Sequence, residues 1–187
     1  MDEHILKSFS RKILESPFEL DWSIQGLGML RLYLNESTRL HIWDDRYKVE
    51  SVSEMHTHPW DFKSTIIVGH LANTIFIEDT KSESVYNKQK IFCGVGGGLV
   101  EEPSQVNLRL WKVEFYEERE SYVETANEIH VSNPSRGTVT LVRRHFLEDK
   151  DHAYVYWDSG DWVSAEPRKA THDEIADICE NSLKTWF

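Results

Sequence analysis

The sequence predicts an all-β sandwich or barrel with a short helix at each end, and three observations lead to it. Between about residues 20 and 165 the chain is a succession of short runs rich in β-branched and aromatic residues. Several of these runs alternate polar with apolar side chains, as strands with one buried face do. Turn chemistry built from Asn, Gly, Pro and Ser separates them at close spacing.

The first helix is expected over 2–15, where Ile5, Leu6, Phe9, Ile13 and Leu14 recur at helical spacing with charges between them. Ser16-Pro17 stops it, because proline disfavours helix in the residue before it. Phe9 and its apolar partners are expected to pack on the sheet. Strand runs follow at Met29 to Leu34, Arg39 to Trp43, Ser64 to Val68, Leu71 to Ile77, Val106 to Tyr116, Thr138 to His145 and Ala153 to Trp157. Turns are expected at Asn35-Glu36-Ser37, Gly69-His70 and Asn133-Pro134-Ser135-Arg136-Gly137. Residues 79–105, with charges, Pro103 and the glycines Gly94, Gly96, Gly97 and Gly98, read as a long excursion of the kind that forms a mobile lid. Thr171-His172-Asp173-Glu174 is a capping box, so a final helix should run from about 172 to 185, with Ile175, Ile178, Cys179 and Trp186 facing the sheet. No repeat or dividing linker interrupts the chain. It therefore reads as one domain over 1–187: helix 1–16, strands 20–165, helix 171–187.

Composition narrows the partners. With 40% apolar and 12% aromatic residues, the 187-residue chain can bury a substantial core. A net charge of −11 offers no broad attraction to phosphate backbones or anionic lipid, so the expected partner is a small molecule, with no nucleic acid and no membrane surface. Cys93 and Cys179, far apart in sequence, read as reduced thiols. The acidic start Met1-Asp2-Glu3-His4 precedes an amphipathic stretch, and no run of about 18 apolar residues spans a bilayer, so the expectation is a cytoplasmic protein.

The sharpest local signal is Met55-His56-Thr57-His58-Pro59-Trp60-Asp61-Phe62. Strand side chains alternate faces, so His56 and His58 share one, and two imidazoles so placed suit a single divalent transition metal. The chain here resembles the cupin superfamily over roughly 50–146. His56, His58 and Gly69 fall in register with the first cupin motif, and Ala126-Asn127-Glu128-Ile129-His130-Val131-Ser132-Asn133-Pro134 looks like the second, which supplies a further histidine. Tyr122 to His130, followed by Thr138 to Val142, matches the strand, turn, histidine, strand of that second motif. The resemblance implies a jelly-roll β-barrel, the double-stranded β-helix, with short terminal helices and the possibility of a homodimer through sheet edges.

One departure shapes the reading. Where the first motif has glutamate, this chain has Phe62 or Lys63, and Asp61 should point away from the histidines unless a bulge re-aims it. The motif thus looks like a three-histidine variant, His56, His58 and His130, similar to the thiol dioxygenases among cupins. Those hold ferrous iron by three histidines and oxidise a small aminothiol to a sulfinate. The implied cofactor is one divalent transition metal, iron(II) first, with nickel, zinc or manganese as alternatives. The crosslinking cysteine of the cysteine-specific branch has no counterpart, since Lys63 occupies that region.

Strand parity supplies pocket candidates: Thr65, Ile67, Thr138, Thr140 and Val142 on strands flanking the metal, and Trp60, Tyr122 and Trp157 as walls. Arg143 and Arg144 are adjacent on a strand and must face opposite ways; one enters the barrel to meet an anion, or both are solvated strand-end arginines. His4, His41, His70, His145, His152 and His172 are scattered singles read as surface or satisfied structural residues, with His70 and His145 placed to support a metal ligand. Three functions remain open. The first is a non-haem iron dioxygenase of a small polar substrate; the second is a non-catalytic barrel capturing a small anion. A metal-dependent sugar isomerase or epimerase is the third.

Overall fold

The computed structural model describes residues 3–49, 54–93, 98–99, 101–148, 150–160 and 167–184. Helix α1 (Glu3–Glu15) and a short 3-10 turn (Pro17–Glu19) lead into β1 (Trp22–Gln25), β2 (Leu27–Tyr33) and β3 (Thr38–Lys48). Next come β4 (Met55–His56), β5 (Trp60–Val68), β6 (Leu71–Glu78), β7 (Val85–Phe92), β8 (Gly98–Leu99) and β9 (Ser104–Tyr116). The chain continues through β10 (Ser121–Glu124), β11 (Ile129–Pro134), β12 (Val139–Phe146), β13 (His152–Trp157) and β14 (Arg168–Lys169), then ends in α2 (His172–Lys184).

All strand pairs are antiparallel. One sheet has the order β10-β5-β12-β3-β2-β1-β14, the other β13-β4-β11-β6-β9-β7-β8. Because β13 also pairs with β7, six strands of the second sheet close into a barrel. The fold is therefore all-β with two short helices, a jelly-roll-like barrel plus a second sheet.

Cross-strand partners share a face, so the register sorts the first sheet into two rows. Leu30 pairs with Ile42, and Leu32 with Leu40, which pairs with Leu141. These residues belong to a core shared with Leu14 of α1 and Ile175, Ile178 and Cys179 of α2. On the opposite face Arg31 pairs with His41, His41 with Thr140 and Thr140 with Ile66. Tyr33 pairs likewise with Arg39, Arg39 with Val142 and Val142 with Ser64. That row faces the closed barrel: Phe62, on the same face of β5 as Ser64, has its ring 6.0 Å from His130 of β11 opposite.

The capping box forms as read. Thr171 Oγ1 accepts from the Glu174 N–H at 3.3 Å, and Glu174 Oε2 accepts from the Thr171 N–H at 2.9 Å. The β5–β6 turn needs its glycine, since Gly69 has φ +81° and a Cβ there would lie 2.6 Å from Thr138 Oγ1.

Several expectations change. Residues 79–105 are not one long excursion: β7 crosses them, pairing with β13 on one side and β9 on the other. Its sequence Val85-Tyr86-Asn87-Lys88-Gln89-Lys90-Ile91-Phe92 hides the strand behind polar residues, of which Gln89 is fully buried. Gly94, Gly96 and Gly97 lie outside the described residues, as does Trp186. Strand β1 was not anticipated, and β14 extends the sheet past residue 165. Phe9 does not pack on the sheet; it is 45% exposed, while Leu6, Ile13 and Leu14 make the contact. Among the described residues no helix is long and apolar enough to cross a membrane.

Candidate metal centre

The two strands that bring His56 and His130 together are β4 and β11, which place them directly opposite each other. Cross-strand neighbours on one face approach within side-chain contact, and their rings lie 4.8 Å apart. His58 is not on a strand. It falls in the link between β4 and β5, where the chain leaves the closed barrel for the first sheet, so its ring hangs between the two. Thr57 keeps that link extended: its N–H donates to the Tyr154 carbonyl, and its hydroxyl accepts from the Tyr154 N–H, both at 2.9 Å. The two-residue spacing therefore still turns both histidines to one side.

The three rings form a compact group, with centroids 4.7 Å (His56 to His58) and 5.2 Å (His58 to His130) apart. One nitrogen from each lies within 4.8 Å of the others, and the Nε2 atoms of His58 and His130 are 3.1 Å apart. The remaining nitrogens are held from behind. His56 Nδ1 sits 2.8 Å from the Glu54 carbonyl, so it donates there and leaves Nε2 for the centre. His130 Nδ1 lies 3.1 Å from Asn73 Oδ1 and 2.9 Å from Glu124 Oε2, while the Asn73 amide donates to Glu124 Oε1. The Asn73 amide oxygen thus fixes the tautomer and orientation of a prospective ligand, with the Glu124 carboxylate close behind it.

Burial pushes the His56 imidazole down to about 3, with His130 adding to the effect. His58 is lowered as well, by burial first and then by His56, His130 and Arg39. Both stay neutral at neutral pH, the form in which imidazole binds a metal. Three imidazole nitrogens converging on one point fit a borderline transition metal and leave other coordination positions free.

Phe62 occupies the place of the missing glutamate. Its ring meets His58 edge-on at 5.0 Å and lies 6.0 Å from His130, so the position is filled by an apolar wall rather than a ligand. Asp61 points elsewhere and accepts the Ala126 N–H at 2.8 Å. Trp60 stacks on His58 at 5.5 Å, and Tyr122 packs against Phe62 at 6.1 Å with its phenol pushed well above its ordinary range by burial. Thr140 shares the inner face, where its hydroxyl accepts from the Trp43 indole N–H at 3.3 Å.

Other pocket candidates lie apart from the histidines. Thr65 pairs with Leu141 on the opposite face of the sheet, and its hydroxyl bonds to Ser121 at 2.8 Å. Ile67, two residues on from Thr65 and on the same face, packs in the core shared with the helices, and the irregularity beside Thr140 turns Val68 to that core as well. Trp157 ends β13 with its indole N–H on the Gly160 carbonyl. Thr138 is fully buried at the Gly69 turn, donating to the His70 carbonyl. His70 and His145 are exposed. Of the adjacent arginines, Arg143 faces out beside Lys63 and Thr38, and Arg144 faces in beside Phe62.

Sequence reasoning passed over three inward residues. Glu124 is fully buried, as are Arg39 and His41, and His41 is neither a surface residue nor a satisfied one: its Nε2 has no hydrogen-bond partner among the described residues. The pairing of β3 with β12 reveals Arg39 and His41, and that of β10 with β5 reveals Glu124. No protein-family model matches the chain, and no curated protein matches it significantly. Fold and site together define an all-β barrel protein with a three-histidine group able to hold a metal ion, an arrangement compatible with a cupin.

Proposed function

We propose that this protein is a metal-dependent cupin enzyme, a non-haem iron dioxygenase acting on a small polar substrate, with thiols the first class to try. The observation that carries the reading is the ligand set: three histidines within 4.8 Å of one another, with the apolar Phe62 where an anionic fourth ligand would stand. His56, His58 and His130 would hold the ion through the nitrogens that Glu54, Asn73 and Glu124 leave free. Bound iron(II) would supply activation of dioxygen beside the substrate. For a thiol the balance is R–SH + O2 → R–SO2H: both oxygen atoms enter the product and sulfur is oxidised by the four electrons that dioxygen accepts. Trp60 and Phe62 wall the histidines with apolar surface, which limits water at the site.

Elemental analysis of untagged protein beside His56→Ala and His130→Ala tests the centre. About one iron per chain, lost in both variants, with oxygen uptake on a small thiol that both variants also lose, is the expected result. Folded wild-type protein that takes up no iron, nickel or zinc would end the enzyme reading.

A further inference from the structure

We propose that Arg31, Arg39 and Arg144 form the seat of a doubly charged oxyanion, at the edge of the same interior that holds the three histidines. That the anion is the charged end of the substrate rests on the metal-centre reading; its binding does not.

The three guanidinium groups surround one ring. Their carbon atoms lie 5.0, 5.5 and 5.3 Å from the centre of Tyr33. Arg39 and Arg144 also approach Trp60, at 5.0 and 4.8 Å, and Trp60 in turn stacks on His58. The indole is thus a wall common to the arginine cluster and the metal centre. Arg31 and Arg39 are 8% and 6% exposed, whereas Arg144 is half-buried and Tyr33 is 46% exposed, so the cluster runs from the interior towards solvent.

Burying like charges together is costly unless a counter-charge is present. Among the described residues no carboxylate forms an ion pair with any of the three. Their polar partners are the Gln25 amide oxygen on Arg31 and the Glu36 carbonyl on Arg144, while Arg39 lies over the Tyr33 ring. Among the described residues the Nε atoms of all three arginines have no hydrogen-bond partner, and neither do Nε2 of His41 or the indole nitrogen of Trp60. Such a concentration of unpaired nitrogens is unusual in a folded interior, where most buried polar groups find partners. Burial lowers the affinity of Arg39 for its proton, and the neighbouring arginines lower it further, consistent with an uncompensated positive site. Guanidinium forks match oxyanions in a bidentate way. Three of them exceed what one carboxylate neutralises and suit a phosphoryl group or a dicarboxylate.

Calorimetric titration in buffer free of phosphate and sulfate tests the site, with inorganic phosphate, malonate and acetate as probes. One phosphate or malonate per chain should bind saturably, with acetate at least tenfold weaker. A preference for phosphate assigns a phosphoryl ligand and a preference for malonate a dicarboxylate; either supports the site. Arg39→Met and Arg144→Gln should each weaken the preferred dianion at least tenfold, and His56→Ala should change it less than twofold while losing metal. Without anion, Arg39→Met should melt no lower than wild type, because it removes an unpaired buried charge. Arg144→Gln, nearer solvent, decides the matter if Arg39→Met does not fold. Absence of saturable dianion binding, acetate as strong as phosphate, or unchanged affinity in the folded arginine variants overturns the proposal. Iron retained with no dianion bound would remove the anion seat alone; dianion bound with no metal uptake would remove the metal-centre reading alone.

Discussion

Replacing Glu124 by glutamine isolates the contribution of the charge behind His130. Oε2 of Glu124 is 2.9 Å from His130 Nδ1, and Oε1 accepts from Asn73, whose own Oδ1 lies 3.1 Å from the same imidazole nitrogen. A glutamine keeps the shape and can still accept from Asn73, so His130 retains its Asn73 acceptor and loses the neighbouring charge. The lost Coulomb attraction is put at about 1.5 kcal/mol. That corresponds to about a tenfold rise in metal Kd, the lower end of the range known for residues supporting metal ligands. Competition with a chelator for zinc(II) or iron(II) measures it. Metal-free thermal unfolding is the control: the buried carboxylate is costly to desolvate, so the variant's melting temperature should fall little or rise. A Kd within twofold of wild type in a normally folded variant would refute the role assigned to Glu124.

Three further outcomes are expected. Ile178→Ala, at a position 1% exposed in the core shared by both helices and the first sheet, should cost about 3 kcal/mol in denaturant unfolding. Phe9→Ala should cost under about 0.5 kcal/mol, and equal losses would contradict the packing described. Gly69→Ala should cost about 2 kcal/mol, combining left-handed strain with displacement of the Thr138 hydroxyl; an unchanged denaturation midpoint would show that the turn relaxes freely. The Arg168 guanidinium, with help from Thr171, draws the Glu174 carboxyl down to about 2. Its stabilising effect is complete above the ordinary carboxyl value of 4.5 and fades as pH falls towards 2. Solvent screening limits it to about 1 kcal/mol, so Glu174→Gln should flatten the acid limb of the stability curve by that much, and an identical limb would refute the linkage.

Seven of the fourteen strands among the described residues, and both helices, are legible in the sequence because they depend on local signals: alternation, turns and one capping box. It carries less about the interior because both faces of the first sheet are covered. In β2 and β3 the residues Leu30, Leu32, Leu40 and Ile42 alternate with Arg31, Arg39 and His41. That pattern normally means core on one side and water on the other. Here the polar row faces a second layer instead, which no local rule detects. Arg143 and Arg144 show the same limit: parity requires them to diverge, but only the pairing with β5 says that Arg144 is the inward one. The His-x-His pair and His130 were legible through motif resemblance, whereas Glu124 is one acidic residue among many until β10 and β11 set it behind His130. Gln89, Lys88 and Lys90 disguise a strand inside the barrel in the same way.

Phe62 links the two halves of this interior. A glutamate there would bring negative charge to a divalent ion; three neutral imidazoles bring none, and Glu124 contributes its charge only from behind His130. Across Trp60 stand the guanidiniums of Arg39 and Arg144, with Arg31 joining them around Tyr33, and none of the three has a carboxylate partner among the described residues. With a metal in place, positive charge would stand on both sides of the indole, and the arginine side alone would suffice to hold an entering anion. On the proposed reading, a phenylalanine where a ligating glutamate would stand leaves neutralisation of the site to the ligand, and the ligand's charge would then select against neutral molecules of the same size.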